Sequence, residues 1–161
     1  MGCWYTGASQ RASINGGVEV ADVLVTVPKS FGLDTWIEEG DLPGESWSGE
    51  EWHFYLGGRC PKIQPGERVY ILYDGLLRGY APLVRIENTV YQGRMGHRHS
   101  GYALVRHNDA VAVTIDEHIK GFRGFRYRWW KYEQERSFPE WQSHKNPAAD
   151  GRPGTGRPER R

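Results

Sequence analysis

The stretch from Pro65 to Glu87 constrains the fold more than any other part of this chain. Pro65-Gly66 opens an extended segment, Val69, Tyr70, Ile71 and Leu72 are strand formers, and Asp74-Gly75 is a preferred two-residue hairpin turn. A long strand then returns through Leu76 to Glu87, with Gly79 and Pro82 marking a bulge or a sheet edge. A chain built around such a hairpin needs other strands to cover it. The β-branched run Ala21–Val27, stopped by Pro28, reads as one, and Glu51–Leu56, closed by Gly57-Gly58, as a second. Residues 101–106 and 110–115 flank His107-Asn108-Asp109 as a further hairpin. Between the first two strands, Leu33, Trp36 and Ile37 fall at helical spacing, with Gly40 placed to stop the turn. The expected fold is therefore α+β: a mixed, partly closed β-barrel of about six strands with one early helix and a short C-terminal helix.

The 21 glycines and 9 prolines of the 161 residues disfavour long helices, while 7 Trp, 9 Tyr and 5 Phe suffice for a packed core. Residues 1–19 mix Gly, Ser, Gln and Asn without apolar periodicity and read as a flexible arm. Residues 143–161 interleave Pro and Gly with Lys145, Arg152, Arg157, Arg160 and Arg161 and read as a disordered basic tail, which leaves 20–142 as the domain. Cys3 and Cys60 are too few for a disulfide framework, and no apolar run is long enough for a membrane span, so a cytoplasmic protein is expected.

The order of elements resembles the PUA-like superfamily, in particular its ASCH and EVE branches, over about residues 21–130. The resemblance rests on Val27-Pro28-Lys29-Ser30-Phe31 after the first strand, the helix Leu33–Glu39 closed by Gly40, and Pro65-Gly66-Glu67-Arg68-Val69-Tyr70 leading into a strand pair with Gly79 in its second member. It implies a pocket between barrel and early helix that accepts a nucleobase or nucleotide, plain or modified. Some ASCH proteins hydrolyse RNA or an acetylated nucleoside through a Lys and a Thr in a Gly-x-Lys-Thr-x-Glu-x-Arg motif. Here Leu42 and Pro43 stand in those two places, between Gly40 and Glu45. Neither side chain offers a base, a cation or a hydroxyl.

Trp36, Trp47 and Trp52, with Tyr55, crowd the segment that the resemblance puts at the pocket mouth, and aromatic rings stack on bases. Trp36 lies on an apolar helical face that suits a core, whereas Trp47 sits in a polar loop. Lys29 and Ser30 follow the first strand and are candidates for a phosphate or a base edge. The segment 34–51 holds Asp34, Glu38, Glu39, Asp41, Glu45, Glu50 and Glu51 without a single Lys or Arg, and repels phosphate. Residues 118–136 are net basic: Lys120, Arg123, Arg126, Arg128, Lys131 and Arg136, against Glu133 and Glu135, are interleaved with Phe122, Phe125, Tyr127, Trp129, Trp130 and Tyr132. Such interleaving serves single-stranded or flipped-base binding, guanidinium on phosphate and ring on base, with Arg123, Arg126 and Arg128 as anchors. The same pattern also suits a last element packed on the barrel with solvated arginines. The pair His97-x-His99 reads as loop rather than metal site, and Cys60, beside Arg59 and Lys62, is a thiol without a partnered base.

These observations favour a nucleic-acid or nucleotide binding module that captures a base, with RNA or DNA as partner and no metal or organic cofactor. The alternatives are an ASCH-like hydrolase using Glu45 and Lys29, and a protein-interaction module using the acidic face.

Overall fold

In the computed structural model, residues 21–30, 33, 51–93, 95–107 and 110–142 are described. Among the described residues nine strands follow one another: β1 (Val23–Thr26), β2 (Trp52–Leu56), β3 (Arg68–Tyr73), β4 (Leu76–Pro82), β5 (Arg85–Gln92), β6 (Arg98–Arg106), β7 (Val113–Thr114), β8 (Phe125–Tyr127) and β9 (Arg136–Ser137). They form a four-stranded sheet in the order β4-β3-β1-β8, a three-stranded sheet β2-β6-β5 and the pair β7-β9.

The four-stranded sheet is covered on both faces. Val23 and Val25 of β1 and Val69 and Ile71 of β3 point to one side, where they meet Leu56, Leu104, Phe54 and Ile86 of the second sheet. Leu24, Tyr70 and Leu72 point to the other, against Ile115, Ile119 and Trp130 of the C-terminal segment. Double burial explains why Val23-Leu24-Val25 is continuously apolar instead of alternating. β1 runs parallel to β3, Val23 opposite Val69, and antiparallel to β8.

The β3–β4 hairpin forms where the sequence places it. Asp74 and Gly75 both have positive φ, 50° and 78°, the conformation that a tight two-residue turn between twisted strands requires. The pairing shifts between Ile71, opposite Gly79, and Leu72, opposite Leu77, so Arg78 is the extra residue of a bulge. Its guanidinium is fully buried, Nε donating to the Tyr73 carbonyl at 3.1 Å.

Several sequence expectations are corrected. The sheets are open and do not close into a barrel. The expected return strand ends at Pro82, which has no N–H for the ladder; the chain crosses at Leu83-Val84, and Arg85 begins β5 in the other sheet. Among the described residues there is no α-helix: the expected C-terminal helix is a single 3-10 turn at Tyr132–Gln134 leading into β9. Two backbone hydrogen bonds, Gln134 N–H to the Lys131 carbonyl and Glu135 N–H to the Tyr132 carbonyl, close the turn, and side-chain hydrogen bonds described below tie it to the sheet. The hairpin across His107 does not form. β6 pairs with β2 and β5, Val111 bridges to Tyr80, and β7 pairs with β9. The real turn lies earlier, where Gly96 at φ 77° donates to the Gly93 carbonyl at 2.9 Å, so His99, expected in a loop, is on a strand. Lastly, Cys60 is disulfide-bonded, and the described residues hold no free thiol. The early helix, apart from buried Leu33, the N-terminal arm and the basic tail lie outside the described residues. No helix of the described residues is long and apolar enough to cross a membrane.

Candidate nucleotide site: a basic cleft at the ends of the parallel strands

Because β1 and β3 run parallel, their C-terminal ends open at the same edge of the sheet. The Val27 N–H still reaches the Leu72 carbonyl at 2.9 Å, and Pro28 then ends the pairing. A cleft of about 270 Å³ lies there. Val27, Leu72 and Ile119, all buried, form its apolar floor; Lys29, His118, Lys120 and Asp74 stand around it.

The far wall is the extended segment 118–121. The Ile119 N–H donates to the Gly75 carbonyl at 2.9 Å, and the Phe122 N–H to the Thr26 hydroxyl at 3.2 Å. Gly75 takes a positive φ that favours glycine, and the exposed His118 imidazole lies close over it, where a Cβ would push it aside.

Lys29 Nζ pairs with the Asp74 carboxylate, and this hydrogen bond raises the lysine's pKa. The Lys29 side chain is 74% exposed, so the pair is mobile and adds little to stability. Ser30 is exposed beside it. From the cleft the chain continues along β1: exposed Arg123 follows Phe122, and Arg126 sits opposite Leu24 with its guanidinium 4.4 Å from the Phe122 ring centroid. Four cations, Lys29, Lys120, Arg123 and Arg126, thus follow one edge of the sheet to the cleft.

Arg128 is placed differently. Its Nε donates to Asp22 Oδ2 at 2.9 Å, and its guanidinium lies 4.1 Å from the Tyr132 ring centroid. Asp22 is fully buried and also accepts the Arg68 N–H at 2.8 Å and the Tyr132 hydroxyl at 2.6 Å. Burial, together with that hydrogen bond, pushes the Tyr132 hydroxyl up to about 12. A second carboxylate completes the network. Glu135 accepts from the Tyr70 hydroxyl, from Arg68 Nη1 at 3.1 Å and from Trp130 Nε1 at 2.9 Å. Burial, then the hydrogen bond to Glu135, keeps the Tyr70 hydroxyl protonated far beyond its usual range. The network fastens the segment 128–135 to the four-stranded sheet.

Of the residues singled out from the sequence, the structure therefore brings Lys29, Ser30, Arg123 and Arg126 to one edge with Lys120, and commits Arg128 to Asp22. Trp52 is half-buried on β2, 5.8 Å from the buried Arg106 guanidinium, and does not line the cleft. Trp36, Trp47 and Glu45 lie outside the described residues. His118 and Lys120 on the cleft, and the Asp22–Glu135 network, were not singled out; each depends on residues brought together across the fold. Among the described residues no group of His, Cys, Asp and Glu is arranged to hold a metal ion. Comparisons with protein-family models, curated proteins and solved structures find no match for this chain.

Proposed function

We propose that the cleft binds a nucleotide unit of RNA or DNA, its base against Val27, Leu72 and Ile119 and its phosphates on Lys29, Lys120, Arg123 and Arg126. The observation that carries this reading is the convergence of Lys29 and Lys120, from opposite ends of the domain, at the mouth of an apolar-floored cleft. A flat apolar base and an anionic backbone need that combination.

The test is binding of fluorescent single- and double-stranded oligonucleotides over a range of salt. Each phosphate contact contributes about 0.7 to the log–log salt slope on a single strand, so Arg123→Gln and Lys120→Gln should each flatten the slope by about that amount with the fold intact. Asp74→Asn should do the reverse. Asn-Gly makes the same hairpin turn, the Lys29 ammonium is released, and a like charge is removed from the phosphate's neighbourhood. About 1 kcal/mol, or a fivefold gain in affinity, is expected. Unchanged affinity in all three variants would remove the cleft from the binding surface, and turnover of a modified nucleoside would favour the hydrolase reading.

A further inference from the structure

The second sheet carries a feature that the cleft does not use. On the outward face of β2-β6-β5, four rings stand in a row: His53 and Tyr55 from β2, Tyr91 from β5 and His99 from β6. Their successive centroids are 6.3, 5.2 and 5.7 Å apart, with interplanar angles of 17°, 27° and 32°. The row spans the sheet because of what the central strand lacks. By register, β6 offers this face only Gly101, Ala103 and Val105 before His99. A Cβ at Gly101 would stand 3.1 Å from Tyr91 Cε1, and one at Gly57 would stand 3.2 Å from the Tyr91 hydroxyl. Tyr91 therefore lies across bare backbone and reaches Tyr55 on the far strand. His99 is seated in the same way, over Gly93, where a Cβ would come within 2.6 Å of its Nε2.

This row is open to solvent: Tyr55 is 48% exposed, and His53 and His99 at its ends are exposed. Its surroundings are cationic on one side. The distal part of the hairpin that carries Tyr91 and His99, residues 88–101, holds exposed His97 and Arg98 and no Asp or Glu; Glu87, nearer its base in β5, lies 3.9 Å from His53. The nearest carboxylates, Glu51 and Glu87, stand at the other end and share one guanidinium. Arg85 holds Glu51 through Nη1 and Nη2 at 2.6 and 2.5 Å and Glu87 through Nε at 2.6 Å. The Arg85 hydrogen bond keeps the Glu51 carboxyl down at about 2.

We infer that this ring row is a stacking surface for unpaired bases of single-stranded nucleic acid, with the phosphate backbone lying along the basic β5–β6 hairpin. Rings open to solvent next to a hairpin tip that carries Arg98 and His97 and no carboxylate match a chain of alternating π faces and phosphates. A duplex keeps its base faces stacked within itself and has none to offer. The row shares no residue with the cleft, so it stands or falls separately from the function proposed above.

The experiment uses the full chain with a short oligodeoxythymidine and a hairpin duplex of equal charge. Tyr55→Ala should weaken single-strand binding by about 5- to 150-fold, the range for losing one base–aromatic stack, and leave duplex binding and the melting temperature unchanged. Tyr55→Trp should restore it. Lys120→Gln/Arg123→Gln, which tests the cleft, should leave the effect of Tyr55→Ala undiminished. Three results would overturn the inference: no single-strand binding by the wild-type chain at low salt, wild-type affinity in both Tyr55→Ala and His99→Ala, or an equal loss on single strand and duplex.

Discussion

Replacing Asp22 with Ala should cost about 3–5 kcal/mol of folding stability, measured by urea denaturation, because it breaks a buried ion pair from one side only. The Asp22 side chain is fully buried and that of Arg128 only 15% exposed. Without the carboxylate the guanidinium retains its acceptor at the Trp130 carbonyl and its place against the Tyr132 ring, but loses the anion it pairs with. The Arg68 N–H and the Tyr132 hydroxyl lose their acceptor in the same step. Arg128→Ala should cost less, since Asp22 keeps two donors. The double variant should be more stable than the sum of the two losses predicts, by at least about 1 kcal/mol, because the partners act on one another directly. A loss below about 1 kcal/mol for Asp22→Ala would show that the segment 128–135 is held by apolar packing alone.

That outcome also separates arginines that the sequence pattern treats alike. Arg123, Arg126 and Arg128 each directly follow an aromatic residue and carry the same formal charge. What distinguishes Arg128 is a carboxylate more than a hundred residues away in sequence. Neutralising Arg128 should therefore register in stability, whereas Arg123→Gln should register in the salt dependence of binding.

Features decided locally were legible in the sequence. Asp74-Gly75 can make a tight turn with no help from the rest of the chain, and the β-branched Val23-Leu24-Val25 has a strand preference of its own. Pairing partners were not, since β1 lies parallel to β3 rather than beside its chain neighbour. The break after Pro82 was visible as a proline, but its consequence, a change of sheet, depends on where the second sheet stands. The ring row was hidden for a related reason. Tyr55 and Tyr91 stand on strands that are not neighbours, and on the strand between them Gly101 adds no side chain beside the Tyr91 ring. The cleft was half visible: Lys29 could be marked after its strand, whereas Lys120 reaches it only through the Gly75 and Thr26 hydrogen bonds that lay 118–122 beside β1.

The adjacent tryptophans give the second large effect expected. Trp130 is 3% exposed, packs edge-on against Tyr70 with centroids 5.0 Å apart, and donates from Nε1 to Glu135 at 2.9 Å. Trp130→Ala should therefore cost about 3–5 kcal/mol, the price of emptying a buried aromatic site. Trp130→Phe keeps most of the packing but strips Glu135 of one donor, and should cost about 1 kcal/mol beyond the lost ring area. Trp129 is 46% exposed, its Nε1 reaches only the exposed Glu117 at 3.1 Å, and Trp129→Ala should cost about 0.5 kcal/mol. Chemical denaturation of the three variants, read by circular dichroism so that the lost indoles do not set the signal, measures all of this. If Trp129→Ala instead destabilises as much as Trp130→Ala, both faces of the segment 128–135 are core. The basic-aromatic pattern would then record packing against the sheet, and phosphate binding would be confined to Lys29, Lys120, Arg123 and Arg126 at its edge.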